Sequence, residues 1–244
     1  MAFDYDHIAP HYDVHRRGRG PYYGTLLMLL NEARATSVLE VGAGTGNNTQ
    51  AIVQDHPCQL TALERSAGML AQGRSKLAGV QWVQGDAMAL PFSAGRFDFA
   101  YATYVLHHLS DLDAFFREVR RVLRNGIAAF VTLPRHFILA HPMNAYFPSF
   151  SVVDGARFQH EDAVAASMQR AGFSHVTQSL HHDAPRIIDQ AYAEKVAGKF
   201  ISTYALLPED EFQAGLARLR NEIAGKGALD VTMVREAVTV WGRC

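Results

Sequence analysis

Val38-Leu39-Glu40-Val41-Gly42-Ala43-Gly44-Thr45-Gly46-Asn47-Asn48-Thr49 is the stretch that decides the fold of this chain. An apolar, β-branched run carries an acid, three glycines follow at every second position, and polar residues then open a helix. That order predicts a strand, a tight turn and a helix N-terminus. Glycine gives such a turn its positive φ angles and lets a ligand lie against bare backbone. The helix start adds unpaired N–H groups and a partial positive charge. Dinucleotide folds space their glycines as G-x-G-x-x-G to seat a pyrophosphate. Here the pattern is E-x-G-x-G-x-G, with the acid two residues ahead of the first glycine. The turn alone leaves open a ligand without phosphate and a phosphate-bearing nucleotide.

Working outward, strand-like apolar segments lie near 37–41, 60–63, 80–83, 97–102 and 127–133. Helical patterns near 46–55, 66–77 and 111–124 separate them. Strands alternating with helices of this length indicate βαβ units and a parallel sheet with helices on both faces. The second half breaks the rhythm. Residues 134–159 are a connection rich in proline and aromatics, a helix near 160–172 precedes a strand near 174–180, and a mostly helical insertion runs from His181 to Asp230. A strand-like run, Val231–Arg243, closes the chain. The segments 134–159 and 181–230 are embedded, so they are expected to cap one domain spanning 1–244, with 1–35 as a helical lid and 36–133 as the ligand-binding core.

Three further stretches follow the predicted strands at regular positions. After the second comes Ala62-Leu63-Glu64-Arg65-Ser66, where Glu64, about 20 residues past the glycine turn, is placed to accept from a ribose, with Arg65 beside it. After the third comes Gln84-Gly85-Asp86-Ala87-Met88. After the fourth comes Ala102-Thr103-Tyr104-Val105-Leu106-His107-His108-Leu109, then a helix through Arg124 and Asn125-Gly126, read as the turn into the fifth strand.

In order and spacing these elements resemble the class I S-adenosylmethionine-dependent methyltransferases over roughly residues 36–133. The resemblance implies a Rossmann-like, doubly wound α/β fold with a seven-stranded sheet in the order 3-2-1-4-5-7-6 and an antiparallel last strand. It implies S-adenosylmethionine as cofactor, held by Glu40, Gly42, Ala43, Gly44 and Gly46 of the first motif and by Glu64 and Arg65. Asp86 and Ala87 inherit the adenine contacts of the family, and the backbone near Ala102 the methionine amino group. The opening Phe3-Asp4-Tyr5-Asp6-His7-Ile8-Ala9-Pro10-His11-Tyr12-Asp13 resembles that of many small-molecule members. Tyr12, with Arg16 behind it, is expected to cover the methionine end; an aromatic anchoring a terminal helix is the competing reading of Tyr12.

Such a cofactor carries the reactivity in its sulfonium, and the protein contributes binding, orientation and electrostatics. Should the acceptor lose a proton, a general base adds about 10²–10⁴-fold. His107, His108 and Tyr104 are the candidates, His107 first because Tyr104 lies three residues before it and could share a helical face. Packing or helix-start roles for the two histidines stand beside that reading. His136, His141, His181 and His182 lie in or beside the inserts without metal-ligand spacing, so no metal is expected and substrate-pocket or solvated roles are preferred.

Composition narrows the substrate. With 48% hydrophobic and 19% charged residues and a net charge of −1, the chain has no basic excess of the kind nucleic acid requires. No apolar run approaches the roughly 20 residues of a membrane span, and the opening residues have no signal-peptide pattern. Two cysteines exclude a disulfide framework, and a cytoplasmic setting is expected. The Asn/Asp-Pro-Pro-aromatic motif of amino-methylating nucleic-acid enzymes has no counterpart, since Ala102-Thr103-Tyr104-Val105 stands in its place. The expectation is therefore O- or N-methylation of a small, partly apolar molecule by in-line transfer, yielding S-adenosylhomocysteine, by a monomer or homodimer. The alternative is a protein of the same fold without methyl transfer, a cofactor-dependent cyclase or isomerase or a regulatory binding module.

Overall fold

The computed structural model describes Asp6 and residues 18–244. β1 (Ser37–Val41) is almost wholly buried, as a continuous apolar run requires when both faces of a sheet are covered. It lies inside a seven-stranded sheet with β2 (Gln59–Glu64) and β3 (Gln81–Gln84) on one side and β4 (Phe97–Thr103) and β5 (Leu123–Thr132) leading away on the other. These five run parallel. Two later strands finish the sheet, β6 (Ser174–His182) at the edge and the final strand, Glu236–Arg243, between it and β5 and antiparallel to both. Counting only strands of this sheet, the order is 3-2-1-4-5-7-6, as the resemblance implies.

Helices cover both faces. α1 (Tyr23–Glu32), α2 (Asn47–Asp55) and α3 (Ala67–Lys76) lie along the first half of the chain. Leu26, Leu29 and Leu30 of α1 and Ile52 of α2 are buried in one cluster with Val38 and Tyr101 of the sheet. On the opposite face α4 (Leu112–Val122) is capped by the Asp111 side chain, which accepts from the Ala114 N–H at 2.9 Å. Its Phe115, Phe116, Val119 and Val122 recur at helical spacing and pack on Phe130 of β5.

Two expectations are corrected. Asn125 and Gly126 form no turn: α4 ends at Val122 and β5 begins directly at Leu123. Gly126 is needed because β4 passes so close that a Cβ there would stand 1.9 Å from the Asp98 carbonyl oxygen. The closing run is not one strand but two. β8 (Ala228–Met233) pairs with β7 (Arg186–Asp189) in a separate two-stranded sheet, and β9 (Glu236–Arg243) then enters the main sheet.

The segments between are helical. α5 (Arg135–Ala140), a 3₁₀ turn (Pro142–Ala145) and α6 (Phe150–Arg157) follow β5, and α7 (Glu161–Arg170) leads into β6. After β7 come α8 (Gln190–Ala197), α9 (Ser202–Leu206) and α10 (Glu209–Lys226). Phe147, Phe150, Tyr192, Tyr204, Phe212 and Leu219 bring these helices together in a third apolar cluster. No helix among the described residues is long and apolar enough to cross a membrane.

Candidate active site

The glycine loop takes the shape its sequence demands. Gly42, Gly44 and Gly46 adopt φ of 70°, 58° and 83°. Gly46 caps α2, and a Cβ there would meet the Trp82 ring at 2.9 Å. Glu64, at the tip of β2, ties the loop down: its carboxylate accepts from the Gly44 N–H and the Ser66 N–H, each at 2.8 Å. Asp6 reaches the same region, accepting from Ser66 Oγ at 2.6 Å and the Gly68 N–H at 2.7 Å. Asp86, after β3, accepts from the Met88 N–H at 2.8 Å, which sets its turn and leaves a second carboxylate oxygen for other donors.

These groups border a cavity of about 770 Å³ at the carboxyl ends of the strands, the place where open α/β sheets bind ligands. Gly42, Gly44, Glu64, Arg65, Asp86 and Ala87 line it, as do Tyr104, His107 and His108. Four predicted residues do not. Ala43 and Gly46 stand behind the loop, and Ala102 is fully buried in β4, so Thr103 is the first residue of that strand to reach the wall. Glu40 lies beneath the loop, 1% exposed, accepting from Thr49 Oγ1 of α2. Burial in this apolar surrounding pushes its carboxyl up to about 7, against the opposing hydrogen bond from Thr49. Tyr12 and Arg16 lie outside the described residues.

Tyr104 adopts left-handed backbone (φ 56°) directly after β4, an arrangement that costs a bulky residue about 1–3 kcal/mol and clusters at functional sites. Its N–H donates to the Val131 carbonyl at 2.8 Å, and its ring meets Tyr22 edge-on at 5.8 Å. The 3₁₀ turn carrying both histidines starts only at Leu106, so Tyr104 and His107 share no helical face. The His107 ring instead stacks on Phe158 at 4.0 Å and lies 3.9 Å from His108.

Cap residues form the rest of the wall. Phe137, Ile138, Phe150, Phe158 and Tyr192 face the cavity, with Asp154 and Thr203 between them. Asp154 is buried and accepts from Arg157 at 2.7 Å and from Thr203 Oγ1 at 2.9 Å. Burial raises its carboxyl above the usual range, with Arg157 opposing. At the hairpin end Arg186 pairs with Asp183 at 2.6 Å, and Arg235 approaches the same carboxylate at 4.0 Å while lying 6.0 Å over the Tyr104 ring. Sequence reading did not single out Asp154, Lys195 or Arg235, because only the packing of three separated segments brings them to one wall. Of the four cap histidines it did name, His141 lines the cavity, whereas His136 and His182 pair with Glu236, and His181 bonds Thr239. Among the described residues no group of three or more histidine, cysteine or acidic side chains is gathered to hold a metal.

A family profile described as "Methyltransferase domain" matches residues 39–131. A demethylmenaquinone methyltransferase of Roseiflexus castenholzii is 32% identical over 165 residues, covering 58% of this chain and 69% of that protein. A malonyl-[acyl-carrier protein] O-methyltransferase of Enterobacter lignolyticus is 32% identical over 134 residues, 54% of this chain and 53% of the relative, so that match spans about half the relative's length. Among solved structures, a candidate methyltransferase from an antibiotic biosynthesis pathway of Anabaena variabilis aligns with a TM-score of 0.68 at 22% identity, covering 89% of this chain and 95% of that one.

Proposed function

The chain belongs to the class I S-adenosylmethionine-dependent methyltransferases, and on that premise we propose that it methylates a small, partly apolar organic molecule at oxygen or nitrogen. One observation carries the reading: a single cavity joins the acidic strand tips to an aromatic chamber built by the cap.

The residues at the strand tips fit the cofactor. Glu64 and Asp86 present carboxylate oxygens at the ends of adjacent strands, suited to ribose hydroxyls and to an adenine amine, and Leu63, Met69 and Ala87 supply apolar surface between them. The bare turn at Gly42 and Gly44 admits a ligand against the backbone. The cofactor, when bound, supplies an electrophilic methyl group on a sulfonium. Cap aromatics exclude water and hold the acceptor, and a fixed near-attack geometry contributes about 7–11 kcal/mol of barrier reduction. His107 and His108, on the wall between strand tips and cap, are positioned to take a proton from an acceptor hydroxyl or amine. Tyr104 fills the adjoining wall and orients the acceptor.

Two of the relatives are named for the molecules they methylate, malonyl-[acyl-carrier protein] and demethylmenaquinone, each with an extended organic body. Calorimetric titration with S-adenosylmethionine and S-adenosylhomocysteine tests the cofactor half. Micromolar binding, weakened by Glu64→Ala and by Asp86→Ala, is expected. A metabolite panel assayed for S-adenosylhomocysteine release tests the other half, and tight cofactor binding without turnover on any compound would redirect the reading to a non-transferring member of the fold.

A further inference from the structure

His141 is a buried polar residue of the cap with one ring nitrogen that neither the fold nor the proposed chemistry uses. It is 9% exposed and sandwiched by aromatics, its ring stacked on Phe150 at 4.8 Å and edge-on to Phe137 at 5.2 Å. Its Nδ1 accepts the Met143 N–H at 3.2 Å, capping the 3₁₀ turn. A ring nitrogen that accepts cannot carry the proton, so the neutral ring places it on Nε2. Burial drives the imidazole's pKa down to about 4, so the ring stays neutral through the physiological range. Nε2–H therefore remains a donor, and among the described residues nothing accepts from it while the side chain faces the cavity.

Its position along the chamber is fixed by α6. Phe150 and Asp154, four residues apart, share one face of that helix, Phe158 follows as its C-cap residue, and all three line the cavity. His141 stacks at the Phe150 end and His107 at the Phe158 end. Eight residues at the helical rise separate the two ends by roughly 12 Å. Between them the charge of Asp154 is met by Arg157, so the helix itself adds no unpaired charge between the two histidines.

Resting on the reading of this cavity as the methyl-acceptor site, we propose that His141 is a specificity-determining residue whose Nε2–H binds a neutral acceptor oxygen, a carbonyl or hydroxyl, at the end of the substrate remote from His107. The acceptor molecule is then an apolar or aromatic body with the methylated atom at one end and a hydrogen-bonding oxygen at the other. A substrate lacking that oxygen displaces water from the cavity-facing Nε2–H without replacing its hydrogen bond, so such substrates are disfavoured roughly tenfold to a hundredfold.

Three probes of matched shape test this: 4-acetylbiphenyl, its isostere 4-isopropenylbiphenyl in which CH₂ replaces the oxygen, and biphenyl-4-carboxylate. Each is titrated into full-length protein saturated with S-adenosylhomocysteine, alongside ¹⁵N-histidine spectra. The ketone is expected to bind at least tenfold more tightly than the alkene and to shift the His141 Nε2 proton, which the alkene leaves in place. His141→Phe, which keeps the aromatic stack but has no donor, should erase the preference while retaining S-adenosylhomocysteine affinity. Equal affinities in the wild type, a preference surviving in a folded variant, tighter binding of the carboxylate, or binding of no probe by a protein that holds S-adenosylhomocysteine would each overturn the inference. Failure of the wild type to bind S-adenosylhomocysteine would instead sink the underlying functional reading.

Discussion

Glu40→Gln separates a structural acid from a cofactor-binding one. Glu40 sits on β1, an interior strand, paired with Ala62 and Tyr101 on its two sides, and its carboxyl is pushed up to about 7 by burial. In the unfolded chain the same group returns to 4.5. A folded pKa above the unfolded one means that the native state keeps a proton that the unfolded state has released. Stability is therefore fully present below about pH 4.5, falls as pH rises to about 7, and is flat beyond. A shift of this size at about 1.4 kcal/mol per pH unit corresponds to about 3 kcal/mol. Glutamine accepts from Thr49 Oγ1 as glutamate does but never charges. The assay is urea denaturation of both proteins at pH intervals from 4.5 to 8.5. Other titrating groups cancel in the difference between them. The wild type should lose about 3 kcal/mol relative to the variant across the window, with both still binding S-adenosylhomocysteine. A difference that stays constant with pH would refute the reasoning, and a selective loss of S-adenosylhomocysteine affinity in the variant would return Glu40 to the cofactor site.

Gly126→Ala forces a methyl against the Asp98 carbonyl, where a Cβ has 1.9 Å, so β4 and β5 must separate; a loss of about 1–3 kcal/mol in thermal unfolding is expected, and a neutral substitution would contradict the strand assignment of Asn125-Gly126. Asp154→Ala leaves the half-buried Arg157 without its counter-charge, at a cost of about 1–3 kcal/mol. Denaturation of the variant checks it, and a change below 1 kcal/mol would mean that the pair contributes little to holding the cap. His107→Gln, assayed once a substrate is in hand, should lower kcat by about 10²–10⁴-fold and remove an ionisation from the pH profile. Retention of full kcat would assign His107 to packing on Phe158.

The first half of the chain was legible because local sequence and local structure coincide there. Strand, glycine turn and helix are consecutive in Val38–Thr49, and positive φ at all three glycines is a property of those residues themselves. Glu64 and Asp86 could be singled out for the same reason, Glu64 ending its own strand and Asp86 lying just past its own. Misreadings came where a long-range contact overrules a local signal. Asn125-Gly126 has turn chemistry, yet the close approach of β4 draws it into a strand. Tyr104 and His107 have helical spacing, yet the chain takes left-handed backbone between strand and 3₁₀ turn.

The sequence by itself determined the strands, the glycine turn and the acidic strand tips, since hydrophobic period, glycine spacing and strand-end acids act within a few residues of one another; the order of the sheet came only from the family resemblance those motifs carry. The tertiary structure alone decided that Glu40 sinks beneath the loop, that Arg235 comes to lie over Tyr104, and that His141, Asp154 and Lys195 meet on one cavity wall. Those residues lie on separate cap segments whose aromatic cores read alike in sequence. Only their packing against one another chooses which side chains turn inward to the substrate and which remain in the cap's own core.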